Sequence, residues 1–415
     1  MITLIEALGF RCLRDVALPL GRFHVLVGPN ASGKTTLLDV IAFLGRLVSD
    51  GLDAAIEERT SNPIDLVFGK NGNGFQLAIE AAIPADLRGK VARQEWDTAR
   101  YEIGVGLVPD LHLSAERLSL FKREEPKALQ YDAFPRDIQA RTSLLSKGGR
   151  RDVRTVLAKA AGGNDRFNSE TYPKPGKGWV VAYKLGPKRS ALGNLPEDET
   201  KFPVATWLRQ LLETGVQKLV LNSLLIRNAS PPTRTTGFRP DGSNLPWVVA
   251  SLEKDADTLA EWIEHLRTAL PDLEGIRTVE RPDDKHRYLL LRYAGGLEIP
   301  SWMASDGTLR MLALTLPAYL PAVSGIYLIE EPENGIHPRA VETVFQSLSS
   351  MYQAQVILAS HSPIVLGLSS PSDVLCFAKN SHGATDIVRG SEHPLLTKWK
   401  GETSLGTLFA SGVLG

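Results

Sequence analysis

The stretch FHVLVGPNASGKTTLLDVIAFL, residues 23–44, constrains the fold of this chain more than any other. Gly28, Gly33, Lys34 and Thr35 satisfy G-x-x-x-x-G-K-[ST]. An apolar strand (Phe23, Val25, Leu26, Val27) feeds the loop, and a helical pattern (Leu37, Leu38, Val40, Ile41, Phe43, Leu44) leaves it. Glycines at these positions let backbone N–H groups approach phosphate oxygens, and the helix amino terminus adds a favourable dipole. Lys34 is placed to reach β- and γ-phosphates, and the Thr35 hydroxyl to ligate Mg²⁺. The loop therefore predicts a nucleotide site in an α/β fold.

A second stretch, IYLIEEPENGIHP at 326–338, sets three acids against the end of a core-type strand. Crowding Glu330, Glu331 and Glu333 there costs desolvation and like-charge repulsion unless a cation is expected. A P-loop enzyme needs such a strand to hold its metal and orient the attacking water. Glu330 takes the metal-side position, where aspartate is usual, and Glu331 is the candidate general base. Glu333 is expected to shape the turn.

Two weaker signals follow the same order along the chain. In WMASDGTLRMLALTLPAYL, residues 302–320, Ser305 and Gly307 open an apolar helix, a hydroxyl and free N–H groups suited to an anion. In VILASHSPIVL, residues 356–366, an apolar strand ends at Ser360 and His361, a histidine able to touch a γ-phosphate.

Taken together, strand–P-loop–helix, serine–glycine helix start, acidic strand and strand–histidine resemble the RecF/SMC-like ABC ATPases. The match is to the bacterial predicted-ATPase group related to OLD-family and Septu-type defence ATPases. Residues 1–85 and 285–370 carry it, with DGSNLP at 241–246. The resemblance implies a mixed sheet flanked by helices and an ATP and Mg²⁺ site. Its loop would comprise Gly28, Pro29, Asn30, Ala31, Ser32, Gly33, Lys34, Thr35 and Thr36, with Arg11 near the nucleotide. It makes Ser305 and Gly307 the signature that meets ATP across a head-to-tail homodimer, and His361 the switch histidine. Lys34, Glu331 and His361 are then the catalytic residues, and Thr35 and Glu330 the metal ligands. Gln76 is a candidate for the Q-loop glutamine, equally readable as an ordinary strand residue.

The 121–284 segment reads as a basic, helical insertion between head parts 1–120 and 285–415. Residues 141–190 hold twelve Lys or Arg against three acids, although the whole chain balances 47 against 47. Arg150, Arg151 and Arg154, at or around a short helix expected at 151–161, are candidate nucleic-acid contacts. An acidic partner protein or a solvated loop are the other readings of this charge. Helices are expected at 204–218 and 245–269, and a hairpin from 276 to 299. No heptad pattern is sustained, which excludes a long coiled coil.

Two distant cysteines, no membrane-length apolar run and no signal-peptide pattern predict a cytoplasmic protein. Only 54 residues follow His361 (415 − 361), too few for the TOPRIM nuclease module of OLD-family proteins. A separate nuclease or toxin effector is therefore expected, in anti-phage defence. A RecF-like DNA-repair ATPase is the alternative function. An ABC transporter motor subunit is a weaker one, given the imperfect signature and 297 residues from Lys34 to Glu331 (331 − 34).

Overall fold

The computed structural model describes residues 1–124, 132–146, 152–160, 162–172, 180–233, 237–321, 323–396 and 404–411. The chain begins with β1 (Ile2–Phe10), β2 (Leu13–Pro19), β3 (Phe23–Val27), α1 (Lys34–Asp50) and α2 (Leu52–Glu57). It continues through β4 (Gly74–Ala82), α3 (Ala85–Arg88), β5 (Thr98–Gly106) and β6 (His112–Phe121). The middle holds β7 (Arg154–Ala160), β8 (Asp165–Asn168), β9 (Val180–Tyr183), α4 (Pro203–Glu213), β10 (Val216–Leu219) and α5 (Ser223–Arg227). There follow α6 (Leu245–Leu252), α7 (Ala256–Arg267), β11 (Leu273–Glu280), β12 (Arg287–Tyr293) and β13 (Leu297–Pro300). The last part comprises α8 (Asp306–Thr315), β14 (Gly325–Glu330), α9 (Pro338–Ser349), β15 (Ala354–Ala359), α10 (Pro363–Leu368), β16 (Val374–Lys379), β17 (Thr385–Arg389) and α11 (Leu405–Ala410).

Six strands in the order β10-β14-β15-β3-β16-β17 form the sheet that carries the site. All neighbours are parallel except the β16–β17 pair at the edge. Both faces of this sheet are covered. Leu26, Leu328 and Ile357 pack with Leu37 and Leu38 of α1 on one side. Val25, Val27, Tyr327, Ile329 and Leu358 pack with Val344 and Leu348 of α9 on the other. That double burial is why β3, β14 and β15 read as nearly continuous apolar runs rather than alternating strands.

An eight-stranded antiparallel sheet, β2-β1-β4-β5-β6-β7-β8-β9, lies beside it. Because β7 pairs with β6, the boundary expected at 120/121 falls inside this continuous sheet. The helix expected at 151–161 is instead strand β7. Its basic residues are buried with partners rather than displayed on a helix face: Lys159 pairs with Asp165 at 2.9 Å, and Arg154 donates to the Ser169 carbonyl. The helix expected at 204–218 ends at Glu213, and Val216–Leu219 pair with β14. The 245–269 helix is two, since Asp255 accepts from the Thr258 N–H and starts α7 afresh. The expected hairpin is present as β11–β12, with β13 added.

The longest helix among the described residues is α1, at 17 residues, so they form no long coiled coil. The terminal helix α11 packs on α10, its Leu405 buried in the α9-side core. Val413 and Leu414 lie outside the described residues.

Candidate nucleotide site

The site forms where β3, β14, β15 and β16 end together, at the carboxyl edge of the parallel sheet. After β3 the chain turns through Gly28, at φ 147°, where an added Cβ would stand 2.3 Å from the Phe377 carbonyl oxygen. Gly33, at φ 109°, is equally confined: a Cβ there would meet Thr385 Oγ1 at 2.5 Å. The loop is thus pressed between its own strand and β16–β17, which leaves room only for glycine.

Lys34 opens α1 and turns its ammonium back into the loop, donating to the Gly28 carbonyl at 2.7 Å and the Pro29 carbonyl at 2.9 Å. Burial lowers its pKa, while first Glu331 and then Glu330 pull it back up. Thr35 Oγ1 donates to Glu330 Oε2 at 2.5 Å across 295 residues of sequence. The other Glu330 oxygen meets Lys218 Nζ of β10 at 3.0 Å. Glu331 follows in the left-handed region at φ 48°, its N–H bound to the Ala359 carbonyl at 2.8 Å.

Glu333 accepts from Ser360 Oγ at 2.7 Å and from the His361 N–H at 3.0 Å. It therefore does more than shape its turn: it fixes the histidine loop. A cleft of about 370 Å³ brings together Arg11, the loop from Asn30 to Thr36, Glu330, Glu331, His361 and Lys379. Arg11, itself at φ 49°, is held by Asp39 of α1 at 3.1 Å. Thr36 lies beside Cys12, with Sγ and Oγ1 3.5 Å apart. Ser32 Oγ is buried with no partner among the described residues, an orphaned hydroxyl inside the phosphate loop.

Ser305 and Gly307 do not line this cleft. Exposed Ser305 caps α8, accepting the Thr308 N–H at 3.1 Å. A Cβ on Gly307 would approach the Gly335 carbonyl at 2.7 Å, so the start of α8 rests on the turn after β14. Gln76 also lies elsewhere, accepting from Ser143 Oγ and the Leu144 N–H. Arg154, expected among the nucleic-acid contacts, is 5% exposed and bound to the Ser169 carbonyl. Arg150 and Arg151 lie outside the described residues.

Sequence reasoning missed Lys218 and Lys379. Lys379 ends the apolar run VLCFAK just as Glu330 ends its own strand, a signal that could have been read. Lys218 falls within the helix expected at 204–218, which ends at Glu213 and gives way to β10.

A phosphate loop, an acidic strand end and a histidine loop on one parallel sheet define a P-loop ATPase head of the ABC type, with a large α+β insertion. Residues 23–367 match the family described as "AAA domain, putative AbiEii toxin, Type IV TA system", and the chain belongs to that family. It is an ATPase and binds nucleotide. Its fold is similar to the Smc head bound to the C-terminal winged-helix domain of ScpA. That match has TM-score 0.53 at 14% identity, covering 93% of this chain and 97% of the other. A Smc head with an extended coiled coil, bound to the C-terminal domain of ScpA derived from Pyrococcus furiosus, gives TM-score 0.50 at 13% identity over 93% and 95%. Over 41 residues the chain is 49% identical to the OLD nuclease of Thermus scotoductus, which is 10% of this chain and 8% of that protein. No helix among the described residues is long and apolar enough to cross a membrane.

Proposed function

We propose that the chain hydrolyses ATP with Mg²⁺ in this cleft and closes it head-to-tail against Ser305 and Gly307 of a second copy. The cycle acts as a sensor on nucleic acid in cytoplasmic anti-phage defence, with nuclease or toxin activity on a separate effector protein. The observation that carries the reading is the Thr35–Glu330 contact at 2.5 Å beside Lys34 and Glu331.

The residues fit the ligands. The unpartnered Ser32 hydroxyl and the confined glycines suit a phosphate chain. Thr35 and Glu330 offer the hard oxygens that Mg²⁺ prefers, and bound there the ion would neutralise phosphate charge. Lys34 leaves the Gly28 and Pro29 carbonyls to meet the β- and γ-phosphates. Glu331 takes the proton of the attacking water, and His361 contacts the γ-phosphate from a loop that Glu333 fixes.

The exposure of Ser305, away from the cleft on its own chain, supports a site completed by a second copy. Exposed Arg166 of β8 and Lys184 directly after β9, at the β9 edge of the large sheet, support a nucleic-acid surface, as does the matched stretch of a nuclease. The family's description, naming a toxin and a TA system, supports the defence setting.

The test combines sedimentation and binding. Glu331→Gln with ATP and Mg²⁺ should sediment as a dimer and without them as a monomer. Nucleic-acid affinity should fall steeply with salt and weaken further on reversing Arg150 and Arg151 to Glu. A chain that stays monomeric with ATP and binds no nucleic acid at low salt overturns the reading.

A further inference from the structure

Lys218 enters the site from a strand that belongs to neither the phosphate loop nor the acidic turn. β10 pairs in parallel with β14 so that Lys218 stands opposite Leu328. Paired residues share a face, and Leu328 packs with Leu37 and Leu38, so Lys218 leaves the sheet on the side where α1 begins. There its ammonium lies 3.0 Å from Glu330 Oε1, while Thr35 holds Oε2. The carboxylate is gripped from both sides.

The grip is not a stability device. The side chains of Lys218 and Glu330 are 40% and 30% exposed, and ion pairs so open to water contribute little to folding. What the pair does is electrostatic and local. Glu330 adjoins a second acid, Glu331, and the Lys218 ammonium adds to that of Lys34 in offsetting their repulsion before the divalent cation binds.

We propose that Lys218 is a positioning residue, a tethered counter-cation that keeps Glu330 against Thr35 in the nucleotide-free protein and yields it when the divalent cation arrives. The inference rests on the reading of the cleft given above. Its consequence is a competition: the charge at position 218 repels the ion that must take Glu330, and so raises the cation concentration the site requires.

The experiment reads binding rather than turnover. A fluorescent ATP analogue is titrated with Mg²⁺ at constant ionic strength, and each variant is melted without nucleotide. Lys218→Met keeps an unbranched side chain of nearly the same length and removes its charge. Its Mg²⁺ midpoint should fall on the order of 3- to 10-fold below wild type. Lys218→Arg keeps the charge and should restore the wild-type midpoint. A wild-type chain whose nucleotide binding ignores Mg²⁺ overturns this inference together with the reading of the cleft. Magnesium-dependent binding in wild type with an unshifted or raised midpoint in Lys218→Met overturns the role of Lys218 alone. A lowered melting temperature with no midpoint shift is that same result, a merely structural lysine.

Discussion

Glu333 accepts the Ser360 hydroxyl at 2.7 Å, tying the turn after β14 to the turn after β15. The same oxygen accepts the His361 N–H at 3.0 Å. The three acids of the IEEPE stretch thus divide their work: one faces Thr35, one faces the cleft, and the third anchors the histidine. Charge-assisted bonds of this kind hold a loop more firmly than neutral ones.

Glu333→Ala should therefore damage the site without touching it. It leaves the Ser360 hydroxyl and the His361 N–H without their acceptor, at a cost of about 1–3 kcal/mol in stability. Nucleotide affinity, set by the phosphate loop, should stay close to wild type. Turnover should fall about 10-fold or more as His361 loses its position. Equal turnover in both proteins would show that the anchor does not matter to hydrolysis.

Glu331 sits at φ 48°, a conformation that costs a side-chain-bearing residue about 1–3 kcal/mol. Glu331→Gly should relieve that strain and raise the melting temperature while abolishing hydrolysis. Glu331→Gln should keep the strain, bind ATP and hydrolyse it about 10²- to 10⁴-fold more slowly, because an amide cannot take the water's proton. Lys34→Ala, by contrast, should lose hydrolysis through loss of the phosphate-facing charge. Melting curves and turnover on the three variants check all of this together.

The features legible in the sequence were those whose causes lie close together along it. The phosphate loop is nine residues whose chemistry is self-contained. β3, β14 and β15 announced themselves because both faces of their sheet are buried. β7 was misread because the partners that bury Arg154 and Lys159, the Ser169 carbonyl and Asp165, come from beyond the strand itself. β10 was absorbed into the apolar pattern of α4, which carried Lys218 away from the acid it meets. The anchor made by Glu333 depends on two turns that only the parallel pairing of β14 with β15 brings together.

His24 should make the stability of the fold acid-sensitive at the strand that leads into the phosphate loop. It is 1% exposed, its Nε2 accepts the Gly21 N–H at 2.6 Å, and Nδ1 faces the Asp373 carbonyl at 3.1 Å. That pattern requires the neutral ring with its proton on Nδ1, and burial, the largest cause, lowers its pKa from 6.5 to about 4. The unfolded chain therefore binds the proton more readily. The stabilisation is fully present above about pH 6.5 and is lost as pH falls towards and through 4, up to ~3 kcal/mol in all. His24→Gln, whose amide can both accept and donate, should show a shallower loss in urea melts between pH 7.5 and 4. Parallel pH profiles for the two proteins would exclude His24 as the cause.

The proposed shared site can be tested by complementation, because Ser305 does not line the cleft that holds Lys34 in its own chain. Lys34→Ala spoils the phosphate loop and Ser305→Arg spoils the signature start, so each homodimer should be inactive at both sites. In a mixed dimer, the loop of the Ser305→Arg chain faces the intact Ser305 of the Lys34→Ala chain. Its other site carries both lesions. With random two-fold pairing of equal amounts, half of the dimers are mixed and each has one sound site, so about one quarter of wild-type activity should return. Recovery should be lost if Glu331→Gln is added to the Ser305→Arg chain, which supplies the working cleft, and kept if it is added to the other. Mixed dimers that form but stay inactive would place the whole catalytic site within a single chain.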